Sequence, residues 1–444
     1  MKTYHIITIG CQMNKSDSER IAACLDNIGY KKTEKREQAD LVVLTTCGIR
    51  QSAEDRVYGL AHKIKKENKN AKVILTGCLS EREDVIKRLK DKVDIWLPIN
   101  QIINLKQILT DFDFRNTKIN PCDYLKIKPK YTSVFSAFVP IGNGCDNFCS
   151  YCVVPYARGH EVYRDAEEIL NEVKDLVGQG YKEIILIAQN VNSYKSKIRN
   201  QESGIKNQEA RESNYIDFSH LLRLVNSISG DFWVRFVTSH PKDISDDLIL
   251  AIAKCEKVCK HIHLPAQAGD NDILASMNRK YKIEHYLELI KKIKKNIKSE
   301  LPVAITTDII VGFPGETKEQ FGNTVKLFEK VKYDMAYIAR YSPRYGTAAE
   351  KMKDDVTAHE KRKREEKLMK ILKKIALENN QKYLGKVVKV LIEGQNKKGF
   401  LFGKTETNKI VKFSGDKDFV GKFVDVKIEK VEEFGLSGVF KKNY

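Results

Sequence analysis

Between Tyr4 and Tyr341 the chain keeps alternating short apolar runs with amphipathic stretches of helix length, which confines it to folds built on parallel sheets. The first series has strand-like runs at Tyr4 to Ile9, Leu41 to Thr45, Val73 to Thr76 and Ile95 to Leu97, with helical patterns at Ser18 to Ile28, Ala53 to Glu67 and Glu81 to Lys90. The second has runs at Phe135 to Ile141, Glu183 to Ala188, Trp233 to Val237, His261 to Leu264, Ala304 to Val311 and Met335 to Tyr341. Helical patterns at Ala166 to Val177, Asp246 to Ala253, Ile283 to Lys294 and Glu319 to Val331 separate most of these. Six such β/α units predict a partial barrel, open on one side. Arg115 to Lys130, with Pro121 and Pro129 and no periodicity, reads as a linker. Beyond a basic helix, about five short strand-like runs with Gly turns between Gly385 and Phe440 predict a small β-barrel of the oligonucleotide-binding kind. The expected fold is therefore α/β: an N-terminal parallel-sheet domain over 1–115, a central partial (β/α)6 barrel over 131–365 and a small C-terminal β-barrel over 380–444.

Cysteine placement adds chemistry to this frame. Cys11, Cys47 and Cys78 each follow a strand of the first series, in Gly10-Cys11-Gln12-Met13-Asn14, Thr46-Cys47-Gly48 and Gly77-Cys78-Leu79. Open α/β sheets bind ligands at the carboxyl ends of their strands, so three strand-end thiols meet in one crevice and form a three-thiolate site. Any one of them alone reads as a small core residue. A second set, Cys145, Cys149 and Cys152, is spaced C-x3-C-x2-C directly after the first strand of the second series. Three thiolates leave one iron of a cubane iron–sulfur cluster with open coordination positions. A structural zinc site would need a fourth ligand, and no nearby Cys or His completes one. Cys24 lies mid-helix as core and Cys122 lies in the linker; Cys255 and Cys259, four apart, share one helical face and serve packing.

The remaining strand ends are polar: Gln189-Asn190-Val191-Asn192, Thr238-Ser239-His240-Pro241, Pro265-Ala266-Gln267-Ala268-Gly269 and Gly312-Phe313-Pro314-Gly315-Glu316-Thr317. They read either as ordinary βα turns or as a site gripping a polar cofactor, and their agreement with the cysteine loop favours the cofactor. The excess of 78 Lys and Arg over 59 Asp and Glu attracts a polyanion, with nucleic acid the obvious candidate and a Lys-rich composition bias the plain alternative. No run of eighteen uncharged apolar residues occurs and the N-terminus reads as a strand, so a soluble, cytoplasmic protein with no membrane segment is expected. In that reducing compartment ten cysteines favour metal ligation over disulfides. Lys195 to Asn214 reads as a solvated insertion. Residues 351–374 form a basic helix with a narrow apolar stripe at 368, 371, 372 and 375, able to bridge two domains. Lys residues near Phe400 and Phe402 offer phosphate contacts and base stacking, unless those rings are core.

The stretch Gly144-Cys145-Asp146-Asn147-Phe148-Cys149-Ser150-Tyr151-Cys152-Val153-Val154-Pro155-Tyr156-Ala157-Arg158-Gly159 resembles the cluster loop of the radical S-adenosylmethionine enzymes, in their methylthiotransferase branch. The Gly10 to Asn14 stretch is similar to that branch's N-terminal motif, and the C-terminal barrel looks like its RNA-binding TRAM domain. The resemblance implies two 4Fe-4S clusters, one on Cys145, Cys149 and Cys152 and an auxiliary one on Cys11, Cys47 and Cys78, with S-adenosylmethionine held among Gln189, Asn190, Ser239, His240 and Gln267. The implied activity is methylthiolation of adenine C2 in isopentenylated adenosine at position 37, beside the tRNA anticodon, with a 5′-deoxyadenosyl radical removing the hydrogen and two S-adenosylmethionine molecules consumed. Gly10-Cys11-Gln12-Met13-Asn14 and Tyr341-Ser342-Pro343-Arg344-Tyr345-Gly346-Thr347 fit the isopentenyl branch, although Tyr345 replaces a usual Pro. The threonylcarbamoyl-adenosine branch is the alternative, and a non-catalytic iron–sulfur RNA-binding or electron-transfer protein is the reading from another class. The tRNA anticodon loop and an external electron donor are the expected partners of a monomer.

Overall fold

The computed structural model describes residues 1–49, 51–110, 120–197 and 214–441. Strands β1 (Thr3–Thr8), β2 (Lys31–Lys32), β3 (Leu41–Thr46), β4 (Lys72–Gly77) and β5 (Ile95–Leu97) form a wholly parallel sheet in the order β2-β1-β3-β4-β5. Every residue of β3 is buried because helices cover both faces of the sheet. Its alternate side chains divide accordingly: Val42 and Leu44 enter one core, Leu41 and Val43 the other. Helix α1 (Gln12–Asn27) starts well before Ser18, where its apolar pattern begins to show. Its first turns are polar but buried, through Asn14, Ser16, Asp17, Ser18, Glu19 and Arg20. Their partners lie elsewhere in the chain: Arg20 donates to the Leu125 carbonyl (3.3 Å) and Glu19 accepts from Thr132 (2.7 Å). Of the expected linker, residues 115–119 lie outside the described residues, whereas Cys122, Tyr124 and Leu125 are buried in the N-terminal core. Cys24 lies in α1 and packs against that same core.

The six central strands run parallel in two ladders. One has the order β8 (Trp233–Val237), β7 (Glu183–Ile187), β6 (Ser136–Pro140); the other has β9 (His261–His263), β10 (Ala304–Val311), β11 (Met335–Arg340). Val234 joins them at the seam, its N–H donating to Lys257 (2.7 Å) and its carbonyl accepting from Cys259 (2.9 Å). Among the described residues β6 and β11 share no ladder, so the barrel is open between them. Cys255 and Cys259 do not share a helical face: the helix Asp246–Lys254 ends first, Cys255 caps it, and Cys259 is buried with Trp233 and Leu391. Lys195–Lys197 pairs antiparallel with Tyr215–Asp217, so the expected insertion begins in an ordered strand and is followed directly by that strand's partner, while 198–213 lie outside the described residues.

The basic stretch becomes the helix Ala358–Gln381, whose Leu368, Leu372 and Ile375 join the central core. Two of its basic residues are buried and paired: Arg364 with Glu316 (2.6 Å) and Lys361 with Asp354 (2.6 Å). At its far end Asn380 donates to the carbonyls of Glu432 (2.7 Å) and Glu433 (3.2 Å) in the C-terminal barrel. That barrel is closed, in the order β12 (Val387–Gln395), β13 (Phe400–Thr405), β14 (Ile410–Ser414), β16 (Gly435–Phe440), β15 (Phe423–Glu432). Val390, Ile392, Leu401, Val411, Phe413, Val426 and Ile428 fill it. Phe400 is exposed and Phe402 half-buried, so neither is core. No helix among the described residues is long and apolar enough to cross a membrane.

Candidate active site and metal centres

The carboxyl ends of both parallel sheets open on one cavity of about 750 Å³. Cys11 and Cys78 line it from the N-terminal domain, and Cys145, Cys149 and Cys152 from the central one. Cys47 is buried behind Gly10, so close that a Cβ on that glycine would lie 2.5 Å from the Cys47 Cβ and 3.3 Å from its Sγ. Five of the six predicted cysteines therefore face one chamber from two domains, and Cys47 lies beside it against Gly10. Among the described residues neither triplet gathers its three sulfurs within 4.8 Å of one another. A single zinc ion with Zn–S bonds of about 2.3 Å would hold them about 3.8 Å apart, so the spread suits a larger centre.

The second triplet sits on a tightly specified loop. Gly144 has φ +83°, and a Cβ there would meet the His160 carbonyl oxygen at 2.0 Å, so only glycine fits. The Cys145 N–H donates to Gly159 (3.2 Å), Ser150 N–H to Met277 (3.1 Å), Asn278 to the Phe148 carbonyl (2.7 Å) and Ala349 N–H to Ser150 (2.7 Å). Each sulfur receives a donor: Asn147 Nδ2 at Cys145 (3.3 Å), Arg279 Nη1 at Cys149 (3.4 Å) and the Val154 N–H at Cys152 (3.5 Å). Burial pushes the Cys145 and Cys152 thiols up, so their thiolate forms call for a cationic partner. Such donors and such burial fit a metal centre.

Gln189, Asn190, Ser239, His240 and Gln267 all line the same cavity. Gln189 Oε1, Asn190 Oδ1, Ser239 Oγ and His240 Nε2 are buried yet make no hydrogen bond among the described residues. Buried polar atoms are normally paired, so four orphans along one wall mark where a polar ligand is received. Burial, then Arg279 and Lys242, push the His240 ring down to about 2, so it is neutral. Its Nδ1 accepts from the Lys242 N–H (3.2 Å), which leaves Nε2 as an N–H donor. Gln267 is held at φ +67° by backbone bonds to Asp308 and Ile310, both 2.9 Å. The fourth polar segment, Gly312 to Thr317, does not line the cavity; its Glu316 is committed to Arg364 and to the Gly312 N–H (2.6 Å).

Sequence reasoning passed over three arginines of the lining. Arg279 contacts Cys149 and donates to the Pro265 carbonyl (3.0 Å). Arg158, at the end of helix Val154–Arg158, reaches Asp17 (2.7 Å) and Asn14 (3.0 Å). Arg344 reaches Gln51 (2.5 Å) and the Ile49 carbonyl (3.2 Å). Arg158 and Arg344 stand within sequence motifs and Arg279 in none, and none of these partners is adjacent in sequence.

Family models match the chain in three places: the Uncharacterized protein family UPF0004 at 3–98, the Radical SAM superfamily at 139–328 and the TRAM domain at 381–441. A radical S-adenosylmethionine methyltransferase, TsrM, from Kitasatospora setae shares the fold at TM-score 0.53 and 12% identity, over 76% of this chain and 73% of that one. The cysteine loop at the strand ends of an open β/α barrel, with the superfamily match over it, defines a radical S-adenosylmethionine enzyme, a class that works with an iron–sulfur cluster and S-adenosylmethionine. Proteins named tRNA-2-methylthio-N(6)-dimethylallyladenosine synthase are 42% identical in Clostridium botulinum (strain Langeland / NCTC 10281 / Type F), over 98% of this chain and 96% of theirs. The one from Thermoanaerobacter pseudethanolicus is 44% identical, over 98% and 92%. The chain belongs to this family of radical S-adenosylmethionine tRNA methylthiotransferases.

Proposed function

We propose that this enzyme methylthiolates C2 of N6-isopentenyladenosine at position 37 of tRNA, using two 4Fe-4S clusters and two S-adenosylmethionine molecules. The observation that carries the reading is the convergence of five of the six predicted cysteines, from separate domains, on one cavity, with Cys47 packed against Gly10 beside it. Cys145, Cys149 and Cys152 would hold one cluster and Cys11, Cys47 and Cys78 the other. S-adenosylmethionine, held with the cluster on Cys145, Cys149 and Cys152, would supply on one-electron reduction the radical that an unactivated adenine C–H bond requires. The chain's own residues do the rest. Asn147, Arg279 and the Val154 N–H hold the three sulfurs by charge-assisted or neutral hydrogen bonds. Ser239 Oγ and His240 Nε2 offer donors, and Gln189 Oε1 and Asn190 Oδ1 acceptors, to the cofactor's amino, carboxylate and nucleoside groups.

A base stacked in an anticodon loop must leave the stack to enter a cavity between three domains, and the basic C-terminal barrel beside the core supports that RNA reading. The electron comes from an external donor, and the enzyme acts as a monomer in the cytoplasm. The test separates the two sites. Cys47→Ala protein should still release 5′-deoxyadenosine but form no 2-methylthio product, and Cys149→Ala should lose both. Mass spectrometry of tRNA nucleosides reads the product, and circular dichroism checks the fold. Normal thiomethylation by Cys47→Ala would sink the two-site reading; product only on threonylcarbamoyl-adenosine would move the enzyme to the sister branch.

A further inference from the structure

Arg158 belongs to the helix that follows the second cysteine triplet, yet its guanidinium is divided between domains. Nη1 donates to Asn143 Oδ1 (3.1 Å) within the central domain, while Nη2 crosses to Asn14 Oδ1 (3.0 Å) and Asp17 Oδ2 (2.7 Å) on α1. Both side chains of the Arg158–Asp17 pair are 1% exposed. Asn14 donates to the Ile9 carbonyl (2.7 Å), and its Oδ1 lies 3.8 Å from Cys11 Sγ, so one amide separates Arg158 from the first cysteine of the N-terminal set.

Stability is a weak reason for this arrangement. Desolvating an ion pair commonly offsets its attraction, and Asp17 Oδ1 makes no hydrogen bond among the described residues, so the pair is not even fully satisfied. The field of the pair points elsewhere. Burial works against the Arg158 cation, but Asp17 and the thiols of Cys78 and Cys11 hold it well above its ordinary value. Arg158 bonds Asn14, whose Oδ1 lies 3.8 Å from Cys11 Sγ, and it lines the cavity with Cys11 and Cys78, whereas Asp17 does not. The guanidinium is therefore the member of the pair that faces the cavity shared with Cys11 and Cys78.

We infer that Arg158 is a positioning residue that supplies, across the domain boundary, the counter-charge for the site formed by Cys11, Cys47 and Cys78. The inference rests on the reading of that site as a cluster site. A thiolate-held cluster gains negative charge on one-electron reduction, so a buried cation beside it favours the reduced form and a buried carboxylate disfavours it. The two members of the pair should thus act with opposite signs, which no packing role would produce.

The test uses reconstituted full-length protein, poised with redox mediators that supply the electron and followed by electron paramagnetic resonance. Replacing Cys145, Cys149 and Cys152 together by Ala removes the signal of the central cluster and so identifies it. Arg158→Met should make one-electron reduction of the other cluster about tenfold less favourable, about 59 mV. Asp17→Asn, which keeps an acceptor for Arg158, should shift the same signal the opposite way, and Arg158→Lys should stay near wild type. If Arg158→Met loses that cluster, Asp17→Asn and Arg158→Lys decide the matter. The inference is overturned if Asp17→Asn leaves the potential unchanged or lowers it, or if Arg158→Lys shifts as far as Arg158→Met. Wild-type protein with about four irons in place of about eight sinks the two-cluster reading and the inference with it; about eight irons with unmoved potentials sinks the inference alone.

Discussion

Ser239 and His240 illustrate what an orphaned polar atom costs and what it offers. The Ser239 hydroxyl is buried and makes no hydrogen bond among the described residues, so the fold has already met its desolvation without return. Ser239→Ala should therefore leave the melting temperature unchanged or slightly higher while weakening S-adenosylmethionine binding about fivefold. Calorimetric titration beside a thermal melt reads both, and a lower melting temperature with unchanged affinity would make the hydroxyl structural instead. The neutral His240, pushed down to about 2 by burial and by Arg279 and Lys242, adds a sign to the same titration. With no proton to gain, it should contribute no change in affinity between about pH 6 and about pH 8, where an ordinary imidazole would titrate. The placement of Cys11, Cys78, Cys145, Cys149 and Cys152 on one cavity was legible because each is tied to a strand end or to a short local spacing. Arg158 and Arg279 were not, because their roles depend on Asp17 and Cys149, more than a hundred residues away along the chain.

Among the elements, the helix Ala358–Gln381 separates what periodicity conveys from what it hides. Its stripe through Leu368, Leu372 and Ile375 was readable from spacing and does enter the central core. The basic residues ahead of it carry no apolar periodicity, yet Arg364 is buried against Glu316, whose side chain is 1% exposed, and so fastens the helix to the loop after β10. Removing one partner of such a pair strands the other charge. Arg364→Ala should therefore cost about 3–5 kcal/mol in urea unfolding. Arg362→Ala, which breaks a solvent-exposed pair with Glu366 four residues on, should cost about 0.5 kcal/mol or less. Equal effects would mean that burial does not govern these charges. The early start of α1 was hidden for the same reason: residues from Asn14 to Arg20 are polar, and only neighbouring segments reveal that they are buried. The hairpin Lys195–Lys197 with Tyr215–Asp217 shows too little apolar character for any pattern to detect.

At the scale of the whole molecule, the C-terminal barrel is docked onto the core and does not hang from it. Phe423 packs on Trp233 with ring centroids 4.6 Å apart, Leu391 is buried with Cys259, and Arg235 donates to the carbonyls of Thr405 (2.8 Å) and Glu406 (3.2 Å). Cutting the chain after Asn380 would expose this face, so loss of RNA binding by such a truncation would mix lost contacts with a damaged core. Arg235 is itself held by Glu183 at 2.6 Å. Burial alone would raise the Glu183 carboxyl, but Arg235 and a bond from Ser136 hold it below the ordinary 4.5. Its contribution is therefore complete above about 4.5 and is lost as pH falls through the lower folded value. Burial, then Arg235, push His261 well below 6.5, so it is neutral when folded and takes up a proton on unfolding once pH drops below about 6.5. The two groups act in the same direction and in successive windows. Stability should decline first below about pH 6.5 and again below about pH 4.5, with no matching loss on the alkaline side from either group. In a Trp96→Phe background, Trp233 fluorescence reports the barrel contact directly. Its emission should move to longer wavelength at the acid transition, and Glu183→Gln should bring that shift to higher pH while flattening the lower window. An emission shift that lags behind global unfolding, or a Glu183→Gln profile that overlays wild type, would mean that the Glu183–Arg235 pair does not hold the barrel in place.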